Sequence, residues 1–313
     1  MPLSEKQLIE RIRRAARSSR QPLGRGIGDD CAVLKLPRGH EALVTTDFSL
    51  EGVHFRREWH PADSVGHRCL ARGLSDIAAM GGIPQAAFLS LALPAELEQS
   101  WVDGFVAGLL KLARGISIPL AGGDTAQSPD GVLADIVVLG SVPAGQAILR
   151  SGARSGDFLY VTGTLGSSVA TLNELRDGHK LSPKSQPKHF YPEPRIAVGQ
   201  YLREKKLASA MIDISDGLST DLGHICDESK TGALVYADAL PVAIKDRLDL
   251  ALHGGEEYEL LFTAPPNRRV AKQIAGVPVT CVGEITRGRQ MKLVLPDGKT
   301  VALKPGGWQH FAG

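Results

Sequence analysis

The sequence predicts a mixed α/β or α+β protein built as two domains. Strand-length apolar segments alternate with amphipathic helical ones in both halves of the chain. At 313 residues the chain exceeds the roughly 100–200 that one compact domain usually holds. Between the two series, Pro143 to Gly156 collects Pro, Gly and basic residues and reads as a boundary, dividing the chain at 1–146 and 147–313. With 43% hydrophobic and 22% charged residues, the chain can bury large cores without disulfide staples.

In the first half, Ser4 to Arg20 reads as a helix. Ser4 and Gln7 make a capping-box pattern, and Leu8, Ile9, Ile12 and Ala16 recur at helical spacing. Its arginines, Arg11, Arg13, Arg14, Arg17 and Arg20, read as a solvated face. Ala42 to Thr46 is a short strand, and Asp63 to Ala79 a helix stopped by Gly81-Gly82 and Pro84. Phe88 to Leu93 reads as a buried strand. Glu98 to Arg114 is an amphipathic helix with Trp101, Phe105, Leu109 and Leu112 on one stripe, ended by Gly115. Ile116 to Leu120 and Ile136 to Val142 follow as strands.

The second half opens with the strand Phe158 to Thr162 and a Gly/Ser turn leading into a helix. Four prolines make Ser182 to Pro194 an irregular segment. Ala210 to Ile214 is a strand and Leu218 to Glu228 a helix. Ala233 to Tyr236, Glu259 to Thr263, Val279 to Gly283 and Met291 to Leu295 are strands, with a hairpin-type turn at Asp297-Gly298.

Composition narrows the function classes. A formal charge of +2 argues against a nucleic-acid partner, which calls for a basic excess. No apolar run approaches the ~20 residues that span a bilayer. The segment Met1-Pro2-Leu3-Ser4-Glu5 lacks the order of a signal peptide, so a cytoplasmic protein without membrane association is expected. Cys31, Cys69, Cys226 and Cys281 form no C-x-x-C pair and read as free thiols packed as small hydrophobes.

Aspartates collect where apolar segments end. Asp29 and Asp30 precede Cys31 to Leu34; Thr45-Thr46-Asp47 ends one strand; Gly122-Gly123-Asp124 follows another; Asp213-Ile214-Ser215-Asp216-Gly217 closes a third. Asp76 sits in an otherwise apolar helix, on a side shared with Val65, Cys69 and Arg72, away from the core stripe Leu70, Leu74 and Ile77. Arg72, four residues earlier, is a natural ion partner, and a covered side there would turn Asp76 toward an interior site.

A single Asp at a strand end is usually a turn former or an N-cap. For the whole set that explanation fails. If the loops converge, two carboxylates 4 Å apart repel by about 4 kcal/mol at an effective dielectric of ~20. Several such pairs require cations, and oxygen donors without His or Cys point to Mg²⁺ or Mn²⁺. Thr45 and Thr46 add hydroxyl donors.

Glycines flank these aspartates, yet no G-x-x-x-x-G-K-[ST] sequence exists, so there is no P-loop. The Gly163 to Ser168 turn could bind an anion at the helix N-terminus. Arg150, in the boundary segment, is a candidate phosphate contact. His54 follows the Asp47 loop and, as a lone His, reads as a surface or structural residue more readily than as a ligand contact. His253 to Glu259 is an acidic, glycine-bearing turn suited to a cationic ligand, or simply solvated. Trp308, after Pro305-Gly306-Gly307, is a hydrophobic plug or an aromatic lid.

These segments resemble the thiamine-monophosphate kinases of the aminoimidazole ribonucleotide synthetase-like (PurM-like) superfamily. The matching stretches are GIGDDCAVL from Gly26, TTDFSLEGVHF from Thr45, LSDIAAMGG from Leu74, GGDT from Gly122, RSGA from Arg150, VTGTLG from Val161, IDISDGLSTDLGHI from Ile212 and GGEEYELLFT from Gly254. The resemblance implies two PurM-like α/β domains, with the N-terminal sheet at a homodimer interface. It implies ATP as co-substrate, thiamine monophosphate as acceptor and several Mg²⁺ ions. By similarity, Asp30, Thr45, Thr46, Asp47, Asp76, Asp124, Asp213 and Asp216 are metal ligands, with Asp30, Asp47, Asp124 and Asp213 catalytic. Gly123, Asp124, Arg150 and Ser215 line the ATP site, and His54, Glu256 and Trp308 the thiamine-phosphate site.

Two positions depart from the family pattern. Gly73 stands where Asn often precedes L-S-D, and Glu257 replaces the Asp of G-G-E-D-Y-E-L. A selenophosphate synthetase would carry a reactive Cys or selenocysteine with a Lys in the N-terminal glycine-rich segment, and Gly24-Arg25-Gly26-Ile27-Gly28 has neither. A hydrogenase-maturation relative would end in Cys; this sequence reads Trp308-Gln309-His310-Phe311-Ala312-Gly313. A non-catalytic Mg-nucleotide sensor is the reading outside catalysis.

Overall fold

The structure, a computed structural model, describes residues 4–16, 23–27 and 31–309. The chain folds as two compact units: Met1–Ile77 with Ile83–Gly145 and Phe190–Pro192, and Ala78–Gly82 with Gln146–His189 and Glu193–Gly313.

The first unit opens with α1 (Glu5–Ala15). The Ser4 hydroxyl accepts the Gln7 N–H at 3.4 Å while the Gln7 side chain accepts the Ser4 N–H at 2.9 Å, the reciprocal cap the sequence predicts. Leu8 and Ile12 are buried. The expected end of this helix, with Arg17 and Arg20, lies outside the described residues. Strands β1 (Leu23–Arg25) and β2 (Val33–Leu34) form an antiparallel pair. Next come β3 (His40–Leu50), α2 (Ala62–Ala79), β4 (Ile83–Pro94), α3 (Gln99–Gly115), β5 (Leu120–Ser128) and β6 (Leu133–Pro143). The sheet order is β3-β6-β4-β5; β4 and β5 run parallel and the other neighbours antiparallel. The α2 stripe Leu70, Leu74 and Ile77 is buried as expected, and so are Val65 and Cys69 on its second side.

Several strands are longer than expected, and two of the changes move candidate residues. Strand β3 pairs with β6 residue by residue from His40 to Leu50, which places Asp47 inside the strand. Cross-strand pairing here overrides the low strand propensity of Asp. The expected strand from Ile116 begins only at Leu120, because Ser117 turns left-handed at φ 60°. It then runs through Gly122 and Gly123 to Ser128. At Gly123, φ is 149° and a Cβ would lie 1.8 Å from the Leu89 carbonyl oxygen, so only glycine lets β5 lie this close to β4. Asp124 is thus a strand residue, across from Ser90.

The second unit holds β7 (Phe158–Thr162), α4 (Ser167–Arg176), α5 (Pro187–Phe190), α6 (Ile196–Glu204), β8 (Ala210–Ile214), α7 (Leu218–Ser229), β9 (Gly232–Tyr236), α8 (Leu248–His253), β10 (Glu259–Ala264), β11 (Gln273–Ile274), β12 (Val277–Thr286), β13 (Met291–Val294) and β14 (Thr300–Ala302). Its sheet runs β14-β13-β9-β12-β7-β10-β8, with β11 on β12, and only β13 and β9 pair in parallel. Alternate residues feed two cores. Ile212, Ile214 and Leu261 join Leu222 and Val235 on one face, while Met211, Leu260 and Phe262 join Val198 and Leu202 on the other. Both faces are covered, which is why β8 and β10 read as continuous apolar runs. Asp297-Gly298 turns β13 into antiparallel β14, as predicted.

The cysteines split. Cys69 and Cys226 are buried free thiols, as expected, whereas Cys31 and Cys281 are exposed. Cys281 lies on the outward-facing register of β12, so the small-hydrophobe reading does not hold for it.

Candidate functional site

In the first unit, β3 and α2 bring Thr45, Asp47 and Asp76 together. The Thr45 hydroxyl donates to an Asp76 oxygen. Burial holds the Asp47 carboxyl well above the ordinary carboxylate range, and the Asp76 charge adds to this; Arg72 opposes it, and Asp135 contributes a smaller rise. The Arg72 guanidinium also donates to the Phe48 carbonyl at 3.2 Å. Thr46, on the alternate register of β3, donates to Asp135 Oδ1 at 2.7 Å. Asp135 escaped the sequence reading; the signal was a lone carboxylate inside the apolar run Leu133 to Leu139. Asp135 and Asp124 both stand across from Ser90, on β6 and β5, so one row of the sheet carries two more carboxylates. His54 accepts the Leu50 N–H on Nδ1 at 3.0 Å, which fastens it to the end of β3.

Asp30 lies outside the described residues. Among the described residues, no group of three or more His, Cys, Asp or Glu side chains is arranged to hold a metal ion. The donors that do meet still suit a hard cation. They are all oxygens, and Asp47 and Asp76 are two carboxyls held against each other in a partly buried place. A groove of about 900 Å³ between α1 and α3, lined by Leu8, Ile12, Val102 and Val106, holds none of the candidate residues.

In the second unit the backbone gathers the candidates. Asp213, 4% exposed, lies on β8 across from Leu260. The N–H groups of Ser215, Asp216 and Gly217 all donate to Asp221 Oδ2, at 3.1, 3.2 and 3.1 Å. Asp221 therefore shapes the Asp213 to Asp216 turn, a role the sequence reading missed; its position in the first turn of α7 was the available signal. Burial pushes Asp221 up to about 7, helped by the Asp216 charge and opposed by those three donors. Glu256 donates its N–H to Ser215 O at 2.7 Å, and Tyr258 donates to Ile214 O at 2.9 Å. Glu256 is held at φ 60°, a left-handed conformation uncommon for a residue with a side chain. Trp308, half-exposed, donates its N–H to Asp216 O at 3.0 Å. Arg150 is exposed, and its carbonyl accepts the Ser229 hydroxyl at 2.7 Å.

The Gly163 to Ser168 turn does receive an anion, but from the chain itself. Glu257 Oε1 accepts the N–H groups of Gly166 and Ser168 at 3.0 Å each, and Oε2 accepts the Ser167 hydroxyl at 3.3 Å. The N-terminus of α4 is capped by this carboxylate, which corrects the expectation of an external anion there. The side chain that makes this reach is a methylene longer than the Asp usual in the resembling family. The other departure has a packing reason: at Gly73 a Cβ would lie 2.7 Å from Val138 Cγ2, leaving no room for Asn.

Residues 28–142 match the N-terminal domain of AIR synthase related proteins, and residues 154–296 the C-terminal domain. The fold is that of a two-domain, PurM-like protein of this class. The thiamine-monophosphate kinase of Salmonella typhimurium is 40% identical, over 100% of this chain and 99% of its own. The crystal structure of thiamine-monophosphate kinase from Stenotrophomonas maltophilia is 36% identical with a TM-score of 0.84, over 96% of this chain and 99% of that one. AaThiL complexed with AMPPCP and TMP is 31% identical with a TM-score of 0.78, over 99% of both chains. The chain belongs to the AIR synthase related family, among its thiamine-monophosphate kinases. Hydrogenase maturation protein HypE in complex with ATP, 19% identical with a TM-score of 0.76 over 91% of this chain and 89% of that one, shares the fold alone.

Proposed function

We propose that this kinase transfers the γ-phosphoryl group of ATP to thiamine monophosphate, giving thiamine diphosphate and ADP. The observation that carries the reading is the Asp47–Asp76 pair, two carboxyls pressed together by β3 and α2 in a chain of this family. In the first unit, Thr45, Thr46, Asp47, Asp76 and Asp124, with Asp30, would hold Mg²⁺; Gly123 and Asp124 contact ATP, and His54 the thiamine phosphate. In the second, Asp213 and Asp216 would be metal ligands, Arg150 and Ser215 would contact ATP, and Glu256 and Trp308 would meet the thiamine cation. Bound Mg²⁺ supplies positive charge between two polyanionic reactants.

The acceptor phosphate is already anionic at neutral pH and needs no general base. Its oxygen bonds to the γ-phosphorus as the bond to the ADP oxygen breaks, and the chain's task is alignment. Transfer is direct, so a chiral γ-phosphorus inverts; retention would exclude a single displacement. Val44 and Phe48, 67% and 55% exposed on the outer face of β3, favour a homodimer through the N-terminal sheet. No helix among the described residues is long and apolar enough to cross a membrane. A cytoplasmic setting, where ATP is supplied, fits the reaction. ADP release tests the reading: it is expected from ATP with thiamine monophosphate and not from ATP alone, and equal release in both would overturn it.

A further inference from the structure

We propose that Ser219 and Thr220 are positioning residues for Trp308, acting through a backbone strap that ties the segment from Pro305 to the first turn of α7. Three consecutive N–H groups are used. Gly306 donates to Ser219 Oγ at 3.2 Å, Gly307 to Thr220 Oγ1 at 3.1 Å and Trp308 to Asp216 O at 3.0 Å. Ser219 Oγ also lies 2.8 Å from His253 Nδ1. That contact ties the hydroxyl to the end of α8 as well as to Gly306. The strap lies so close that a Cβ on Gly307 would sit 1.9 Å from Asp216 O.

The consequence is a fixed point of departure for the Trp308 side chain. Thr220 is buried and Trp308 is half-exposed, so the anchor is inside and part of the Trp308 residue stays open to a ligand. An exposed aromatic that must stack on a flat heteroaromatic cation gains affinity when its backbone is held in advance. Asp216 supplies the third acceptor from the turn proposed to hold metal, so the strap and that turn are one hydrogen-bonded piece. The inference rests on the reading that Trp308 meets the thiamine rings.

The test uses the full chain with Trp59→Phe and Trp101→Phe, so that Trp308 alone reports by fluorescence. Thr220→Val keeps the side-chain volume and removes the acceptor; Thr220→Ser keeps the acceptor. Thr220→Val is expected to raise the KM for thiamine monophosphate about fivefold, the worth of one hydrogen bond, with the KM for ATP within about twofold. Trp308 emission shifts to the red, and Thr220→Ser restores both. Unchanged emission with an unchanged KM, or a parallel rise of both KM values, would overturn the proposal. If Thr220→Val does not fold, Ser219→Ala carries the same comparison through Gly306. Should the parent release no ADP with thiamine monophosphate, the kinase reading fails, while the emission of Thr220→Val still decides the strap.

Discussion

Glu259 on β10 and Asp47 on β3 are both strand carboxylates drawn into the body of their unit, and their surroundings differ in kind. Around Glu259, Arg195 donates twice at 2.7 Å, Lys188 lies at 3.3 Å and the Thr162 hydroxyl donates at 2.7 Å. Burial alone would raise this carboxyl, but the Arg195 hydrogen bond and charge, with Lys188, hold it below its ordinary value. Around Asp47, burial and Asp76 act in the same direction and Arg72 opposes them only in part. The second unit answers its buried carboxylate from within. The first sets two against each other, an arrangement that gains from a cation supplied from outside.

The sharpest way to break this contrast is Glu259→Gln. It leaves the buried Arg195 only the exposed Glu193 carboxylate, at 3.6 Å, as a counter-charge and is expected to cost about 3 kcal/mol in urea unfolding. A loss under about 1 kcal/mol would mean that Arg195 is answered elsewhere. In the first unit the expectation reverses. Asp47→Asn relieves repulsion and leaves the fold intact, yet lowers turnover at least ~10²-fold, as does Asp213→Asn, by analogy with losing one electrostatic stabiliser. Near-normal turnover at saturating Mg²⁺ would remove either residue from its role.

Glu257 is an intermediate case, answered by backbone N–H groups rather than a cation. Burial pushes it from 4.5 up to about 7, with the donors of Ser168 and Gly166 and the Lys188 charge opposing. Between those values the folded chain binds the extra proton, so stability falls as pH rises through the window, by about 3 kcal/mol in all. The unfolding free energy of the parent should therefore fall relative to that of Glu257→Gln from pH 4.5 to pH 8; a pH-independent difference would contradict it. The smallest effect is at Glu256. Glu256→Gln is expected to raise the KM for thiamine monophosphate about five- to tenfold through loss of charge opposite a thiazolium, with the KM for ATP unmoved. An unchanged KM removes Glu256 from the cation's site.

Much of the fold was legible in the residues, and what was not has a physical cause. The capping box of α1, the core stripe of α2 and the Asp297-Gly298 hairpin follow from local chemistry, and all are present. The placement of Asp47 and Asp124 within strands was not legible, because pairing with β6 and β4 extends those strands past their apolar segments. Helices α5, α6 and α8 were missed, being short; α5 forms inside the proline-rich stretch expected to be irregular, and its Phe190 is fully buried. The partners of carboxylates were the least legible. Glu257 meets Gly166 across 91 positions and Glu259 meets Arg195 across 64, and no local pattern encodes either. Arg72 was read only against Asp76, four apart on α2; that its guanidinium also donates to the Phe48 carbonyl and its charge acts on Asp47 depends on β3 lying against the helix, which no local spacing encodes.

Thermal unfolding of the parent and of Asp47→Asn, each with and without MgCl₂ at neutral pH, tests most directly whether the first unit's opposed carboxylates wait for a cation. The parent should melt higher when the ion is added, while Asp47→Asn should start at or above the parent and gain less. Equal gains in the two proteins, or none in the parent, would contradict the account.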